Sequence, residues 1–303
     1  MGDLILVTGG TGLIGAKLIE ALRRSGSRVR MLTRSPSVNP TTPGIEVVGW
    51  NGRQLPAGAL SGCASVVHLA GEPIFGGLLT AARRRRILES RIDSTQSIAE
   101  AARAAPSSDR PSTLICASAV GFYGSRGDEL LDESASPGSG FLADVCRQWE
   151  AAAETATGLR VVSLRTGIVL ARAGGALPLM ALPFRLGLGG RIGSGKQWVP
   201  WIQIDDAVRL IRAILEDDGF HGAVNVVSPN PVRNDEFTTA LAQTLRRPAF
   251  LPVPEFALRI ALGELSEELL GSRRCIPRRA VDRGFEFAHT EIETALAVEL
   301  ERG

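Results

Sequence analysis

Four glycines, Gly9, Gly10, Gly12 and Gly15, follow Leu4-Ile5-Leu6-Val7-Thr8 at spacings suited to cradling a phosphate. Gly10, Gly12 and Gly15 satisfy G-x-G-x-x-G, a pattern that carries weight only where a strand turns directly into a helix. That context is present. A Leu, Ile and Val run precedes the glycines, and Leu13, Ile14, Ala16, Leu18, Ile19 and Leu22 follow at helical spacing. In such a turn Gly9 permits the reversal, Gly12 lets the backbone approach a pyrophosphate, and Gly15 lets the helix pack closely on the strand. The backbone N–H groups around Thr11, Leu13 and Ile14 stand at the positive end of the helix dipole, where an anion is favoured. The chemistry expected here is dinucleotide binding.

A second strand over residues 29–32 ends at Thr33-Arg34-Ser35, about twenty residues beyond the glycines, where an acid would hold a ribose 2′-OH and an Arg would accept a 2′-phosphate. No acid lies between Arg28 and Val38, so Arg34 favours NADP(H) over NAD(H). Further strands are expected at 45–48, 65–71, 112–118 and 160–165, with helices at 80–103 and 141–156. Alternating strands and helices imply a parallel sheet covered on both faces. The strand ending His68-Leu69-Ala70-Gly71 finishes in small residues that let a backbone pass close to a cofactor. His68 itself reads as a core histidine. Arg83 to Arg86 read as a solvated helix face, while Arg91 on the same helix could face phosphate oxygens.

The 303 residues allow one large domain and a smaller lobe. The expected architecture is a Rossmann-type, doubly wound parallel α/β sheet over residues 1–170, completed by about 200–228. A smaller, mainly helical C-terminal lobe takes residues 171–199 and 229–303, the first of these Gly-rich and expected to lie as a flexible segment over the cleft. Asp205-Asp206 should open a helix, residues 224–227 should return a strand to the sheet, and Asn234 should cap another helix. A net charge of +2 gives no reason for a nucleic-acid or membrane partner. Cys63, Cys116, Cys146 and Cys275 form no C-x-x-C pair, which argues against a metal site or a disulfide scaffold. Without a visible signal peptide or long apolar span, a cytoplasmic protein with a small-molecule substrate is expected.

The Thr8 to Gly15 turn, His68-Leu69-Ala70-Gly71-Glu72, Ala117-Ser118-Ala119, Tyr123-Gly124 and Arg165-Thr166-Gly167-Ile168-Val169-Leu170 together resemble the extended short-chain dehydrogenase/reductases of the epimerase/dehydratase type. Pro183-Phe184-Arg185, Trp201-Ile202-Gln203, Arg247-Pro248 and Gly284-Phe285-Glu286-Phe287 are similar to its atypical branch labelled epimerase-family or cell-division-inhibitor-like protein, which has a C-terminal domain of its own. The resemblance covers nearly the whole chain. It implies NADP(H) held by the glycine turn, by Thr33 and Arg34 at the 2′-phosphate, by Leu69 and Ala70, by Arg91, and by the loop at Ile168 and Val169. Gln203 stands where the branch usually has His.

Enzymes of this type generally use a Tyr with a Lys four residues later, the ammonium lowering the phenol pKa. Here the only tyrosine is Tyr123 and the only lysines are Lys17 and Lys196, so no Tyr-x-x-x-Lys exists. On the helix from Phe141 the pair's positions fall on Phe141 and Val145, or on Leu142 and Cys146. Two readings follow. In one the chain is an NADP(H)-dependent oxidoreductase or epimerase-like enzyme acting on a carbonyl or nucleotide-sugar-like compound, with Tyr123 as acid and Ser118 as its hydrogen-bond partner; Glu72 or a water is the fallback. In the other it is a non-catalytic NADPH-binding sensor, and Tyr123 only packs.

Overall fold

All five residues of β1 (Leu4–Thr8) are buried, which requires apolar cover on both faces of the sheet. The computed structural model, which describes residues 2–36, 43–75 and 77–300, supplies that cover. After β1 come α1 (Leu13–Arg24), β2 (Arg28–Thr33), β3 (Ile45–Gly49), β4 (Cys63–His68), α2 (Ala81–Ala104) and β5 (Thr113–Ala119). A 3-10 turn at Val120–Tyr123 and the short β6 (Leu130–Leu131) lead to α3 (Phe141–Glu154), β7 (Arg160–Thr166) and β8 (Ile168–Leu170). Next are α4 (Ala176–Arg185), β9 (Trp198–Val199), β10 (Trp201–Gln203), α5 (Ile204–Glu216), β11 (Gly222–Val226), β12 (Val232–Arg233) and α6 (Asn234–Leu245). The chain closes with α7 (Glu255–Leu262), α8 (Ser266–Leu270), β13 (Arg274–Cys275), α9 (Arg278–Asp282) and α10 (Ile292–Leu300).

Seven parallel strands form the central sheet in the order β3-β2-β1-β4-β5-β7-β11, the Rossmann-type arrangement expected. Side chains alternate across it. Ile5 and Val7 join the core beneath α1 and α5, with Leu18, Leu22, Ile211 and Ile214, while Leu4 and Leu6 join the core beneath α2 and α3, with Ile98 and Trp149. The direction of winding reverses between β1 and β4, and that switch point opens a crevice beyond the C-terminal strand ends.

A further core gathers Leu177, Ala181 and Phe184 of α4 with Trp201, Phe237, Leu241 and Leu296. The Gly-rich segment, expected as part of a flexible lobe over the cleft, thus holds a packed helix. Leu177, Ala181 and Phe184 recur at helical spacing and bury one face, which outweighs Pro183 within the helix. Asn234 is the first residue of α6 rather than its cap: its Oδ1 accepts from Ile192 N–H, and Glu236 accepts from Arg233 N–H. Among the described residues no helix is long and apolar enough to cross a membrane.

Gly15 is the tightest point of the first turn, since a Cβ there would lie 2.2 Å from Gly9 O. Ala normally stabilises a helix relative to Gly, but Gly15→Ala is expected to lower stability by roughly 1–3 kcal/mol through overpacking. Denaturant unfolding checks this, and an unchanged or higher midpoint would contradict it.

Candidate functional site

The four glycines of the turn do different things. Gly9 has φ +69°, and a Cβ on it would meet the Leu69 carbonyl carbon at 2.7 Å, so the ends of β1 and β4 approach too closely for a side chain. A Cβ on Gly10 would strike Ile19 and Met31 at 2.5 and 2.6 Å. Gly12 is different. It is exposed, has φ −80°, and a Cβ there would find only Gly9 O, at 3.2 Å. Its backbone is therefore unstrained, and a side chain there would press on the Gly9 carbonyl but on no other atom within 4 Å. Beyond it, Leu13, Ile14 and Gly15 begin α1 with no capping side chain and no acid in the first turn, so their N–H groups lack intrahelical partners. Thr11 is exposed beside them.

β2 lies beside β1, with Thr8 opposite Leu32; Thr33 and Arg34 therefore end next to the glycine turn. Arg34 is exposed and has no hydrogen-bond or ion-pair partner among the described residues. Of the acid-free stretch read from the sequence, residues 37 and 38 lie outside the described residues.

On the other side of β1, Leu69 N–H donates to Thr8 O and Ala70 N–H to Thr8 Oγ1. The Thr8 hydroxyl lies 2.6 Å from His68 Nδ1, His68 Nε2 lies 3.0 Å from Ser94 Oγ, and the Ser94 hydroxyl donates to Ser90 O. A neutral imidazole protonated on Nε2 satisfies the whole chain of bonds. Burial, with Arg91 adding to it, pushes the His68 pKa down to about 3, so His68 is a core histidine that stitches β1 and β4 to α2.

Arg91 is 6% exposed. Its Nη1 donates to Ile87 O and its guanidinium lies 4.9 Å from the Trp149 ring centroid, but no carboxylate pairs with it among the described residues. A Cβ on Gly71 would come within 3.3 Å of its Cζ. Burial holds its pKa below the ordinary value. A buried cation whose nearest acid, Glu72, acts only from beyond ion-pair distance is costly, and an anion above Gly71 would relieve it.

Ile168 and Val169 lie on β8, and the loop that follows folds back over α1. A Cβ on Gly175 would lie 2.9 Å from Leu13 Cδ2. Gln203, where relatives were expected to have His, caps α5: its Oε1 accepts from Asp205 and Asp206 N–H, and its Nε2 donates to Glu299. The glycine turn, Thr33 and Arg34, Leu69 to Gly71, Arg91 and the β8 loop thus share one edge of the sheet.

Tyr123 and Ser118 do not face that crevice, which corrects the expectation that they form an acid and its partner. Ser118, Arg165 and Asn225 stand side by side on β5, β7 and β11. Ser118 Oγ donates to Glu150 Oε1 at 2.6 Å, and Glu150 takes two bonds from Arg165 at 2.9 and 2.8 Å. Arg165 Nη1 donates to Tyr123 Oη at 3.0 Å, and Tyr123 donates to Asn225 Oδ1 at 2.7 Å. Tyr123 is 0% exposed. Burial raises its phenol pKa above the usual range, against the opposing pull of Arg165. Its hydroxyl is committed on both sides and is shut off from any substrate.

The cleft beyond β5 holds a cavity of about 310 Å³. One wall is Gly121, Ser139 and Leu142; the other is Arg259, Glu267 and Arg273 from the C-terminal segment. Leu142 and Cys146, one of the two registers expected for a Tyr–Lys pair, face Gly121 at 3.7 and 3.8 Å from its Cβ position. Burial raises the Cys146 pKa to about 11, which makes it a poor nucleophile. Among the described residues no group of three or more His, Cys, Asp or Glu could hold a metal.

Residues 5–227 match the NAD dependent epimerase/dehydratase family. The chain belongs to that family. Residues 253–298 match a domain of unknown function, DUF1731. The "Epimerase family protein SDR39U1 homolog, chloroplastic" of Arabidopsis thaliana is 38% identical over 96% of this chain and 85% of its own. The crystal structure of the human epimerase family protein SDR39U1 with NADPH superposes with a TM-score of 0.88 at 34% identity, covering 99% of this chain and 100% of that one. A nucleoside-diphosphate sugar epimerase from Corynebacterium glutamicum gives 0.81 at 35% identity, covering 99% of this chain and 58% of that one. In this member of the epimerase/dehydratase family, the family match ends just past β11, and the second match spans α7 to α10, the source of the cavity's second wall.

Sequence reasoning missed the buried partners of Arg165 and the contribution of residues 259–273. Arg165 and Asn225 in otherwise apolar strands, with Glu150 on the buried side of α3, were the available signal.

Tyr123→Phe is expected to leave cofactor affinity unchanged and to cost about 1–3 kcal/mol, because Asn225 Oδ1 loses its donor in a buried setting. A loss of turnover without loss of stability would contradict this placement. For His68, the unfolded chain binds a proton near pH 6.5 and the folded chain only near 3. Its contribution is therefore present above pH 6.5 and lost as pH falls toward 3, at about 1.4 kcal/mol per pH unit. Unfolding measured from pH 4 to 7 should show this slope reduced by that amount in His68→Gln.

Proposed function

We propose that the chain is an NADP(H)-dependent oxidoreductase or epimerase-like enzyme acting on a small carbonyl- or hydroxyl-bearing molecule, nucleotide-sugar-like compounds included. The observation that carries this reading is two cations without an ion-pair partner among the described residues, exposed Arg34 and buried Arg91, on either side of a glycine turn whose Gly12 is exposed and bears no side chain. A dinucleotide with a 2′-phosphate supplies the matching anions. The NADPH-bound human relative supports the choice of cofactor.

In this reading the N–H groups from Gly9 to Gly15 hold the pyrophosphate, with Thr11, Leu13 and Ile14 at the helix start. Thr33 and Arg34 hold the 2′-phosphate, Leu69, Ala70 and Gly71 line the adenosine side, and Arg91 meets a second anionic group. Ile168 and Val169 wall the site, and residues 171–199 and 229–300 cap the substrate. The cofactor supplies hydride transfer; the protein supplies binding and orientation. A non-catalytic NADPH sensor is the second reading, favoured by Leu142 and Cys146 where an acid and its Lys would stand.

Titration with NADPH and NADH should show a preference for NADPH, and Arg34→Ala should erase roughly ten- to a hundredfold of it, the worth of one charge-assisted hydrogen bond. Equal affinities in the parent would sink the choice of cofactor. Tight NADPH binding without turnover across carbonyl and nucleotide-sugar libraries would favour the sensor.

A further inference from the structure

Glu268, on α8 of the C-terminal segment, reaches the place left without an acid or base on α3. Its Oε2 lies 3.9 Å from the Cβ position of Gly121, the same point that Leu142 and Cys146 face. Arg273 fixes it there: Nη2 donates to Oε1 at 2.8 Å, and Nη1 approaches the Glu268 carbonyl oxygen at 3.5 Å. Oε2 has no hydrogen-bond partner among the described residues, and the Glu268 side chain is 22% exposed. Arg273 is only 5% exposed, lines the same cavity, and keeps an unpartnered Nε. The cavity therefore presents one anchored carboxylate with a free oxygen and one buried guanidinium with an unused donor.

The tether across the cleft is specific. Arg84 of α2 pairs with Glu264 and lies over Phe141, the first residue of α3. This holds the segment bearing Glu268 against the sheet half. With Glu264 spent on Arg84, the cavity lining sets two carboxylates, Glu267 and Glu268, against two guanidiniums, Arg259 and Arg273. This neutral lining offers no net counter-charge to a carboxylate or phosphate on the part of a substrate that enters it.

We propose that Glu268 is the proton-transferring catalytic residue of this site, replacing the absent Tyr–Lys pair from another part of the chain, and that the group it serves is the uncharged secondary alcohol or ketone of a small polyhydroxyl compound. The assignment rests on the oxidoreductase reading above. In oxidation, Glu268 Oε2 takes the hydroxyl proton, the O–H electron pair becomes the second bond of the carbonyl, and the C–H bond gives its hydride to the oxidised nicotinamide. The products are a ketone, reduced dinucleotide and protonated Glu268. Reduction reverses each step, and the cavity mouth lets Glu268 exchange its proton with water.

The test uses the full chain with NADPH. Nicotinamide fluorescence should give equal NADPH affinity for the parent and Glu268→Gln, with the fold checked by circular dichroism. Carbodiimide coupling of glycinamide, read by peptide mass spectrometry, should modify Glu268 in the free protein and slow several-fold when NADPH is bound. Single-turnover deuterium transfer from 4R- and 4S-deuterated NADPH to dihydroxyacetone and erythrulose should fall about 10²- to 10⁴-fold in Glu268→Gln, while pyruvate should accept none. Transfer that persists in Glu268→Gln, or coupling at Glu268 that NADPH leaves unchanged, overturns the assignment alone. A parent chain that binds NADPH yet transfers no deuterium overturns both the assignment and the enzyme reading.

Discussion

The guanidinium of Arg165, buried near the C-terminal end of β7, sets the terms for the half of the molecule beyond β5. A charge in that position must be neutralised and its donors filled. Glu150 does the first from α3, with two bonds at 2.9 and 2.8 Å. Tyr123 and the Glu133 carbonyl take the remaining Nη1 contacts, and the Phe122 ring lies 3.4 Å from the guanidinium carbon. Meeting these demands draws together β5, the 3-10 turn, α3 and β11. Asn225 extends the network to Ile276 O, and Glu133 accepts from Arg279 N–H, so the C-terminal segment is oriented by the same charge. A buried ion pair adds little net stability over well-packed apolar residues. Its effect is to define one arrangement of these elements.

At the other end of the crevice the constraint is steric. Gly9, Gly10 and Gly15 are required because backbone and side chains crowd them, whereas Gly12 is exposed and has only Gly9 O near its Cβ position. One glycine motif therefore combines three positions closed by packing with one that is exposed. The satisfied Thr8, His68 and Ser94 chain adds rigidity beneath the turn without adding charge. The charges left over at this edge are positive, Arg34 and Arg91, while the cavity toward the C-terminal segment balances its carboxylates and guanidiniums once Glu264 is paired with Arg84. A dinucleotide and an uncharged reacting group suit these two environments in turn.

Much of this was legible in residue order. The Leu4 to Gly15 stretch predicts strand, turn and helix from local chemistry alone, and the alternation of strands and helices leads to the parallel sheet, because each element's apolar pattern reports its own burial. The missing acid was legible too, as a matter of composition: one tyrosine and two lysines cannot make the pair. Helix α4 was obscured by neighbouring glycines and prolines, although Leu177, Ala181 and Phe184 carried its period.

What residue order could not say was where polar side chains point and what they meet. Tyr123 follows the end of β5 and so looked accessible, but the register that sets Ser118, Arg165 and Asn225 abreast turns its hydroxyl inward. Glu268 is more than a hundred residues from Gly121 in the chain, and only the docking of α8 against α3 brings its carboxylate to 3.9 Å from that Cβ position. The sequence by itself determined the fold and the glycine turn between β1 and α1, since periodicity and glycine spacing act within a few residues. The tertiary structure decided which polar groups are spent inside the core and which remain free in the cleft, because hydrogen bonds and ion pairs depend on distances between elements that local sequence does not encode.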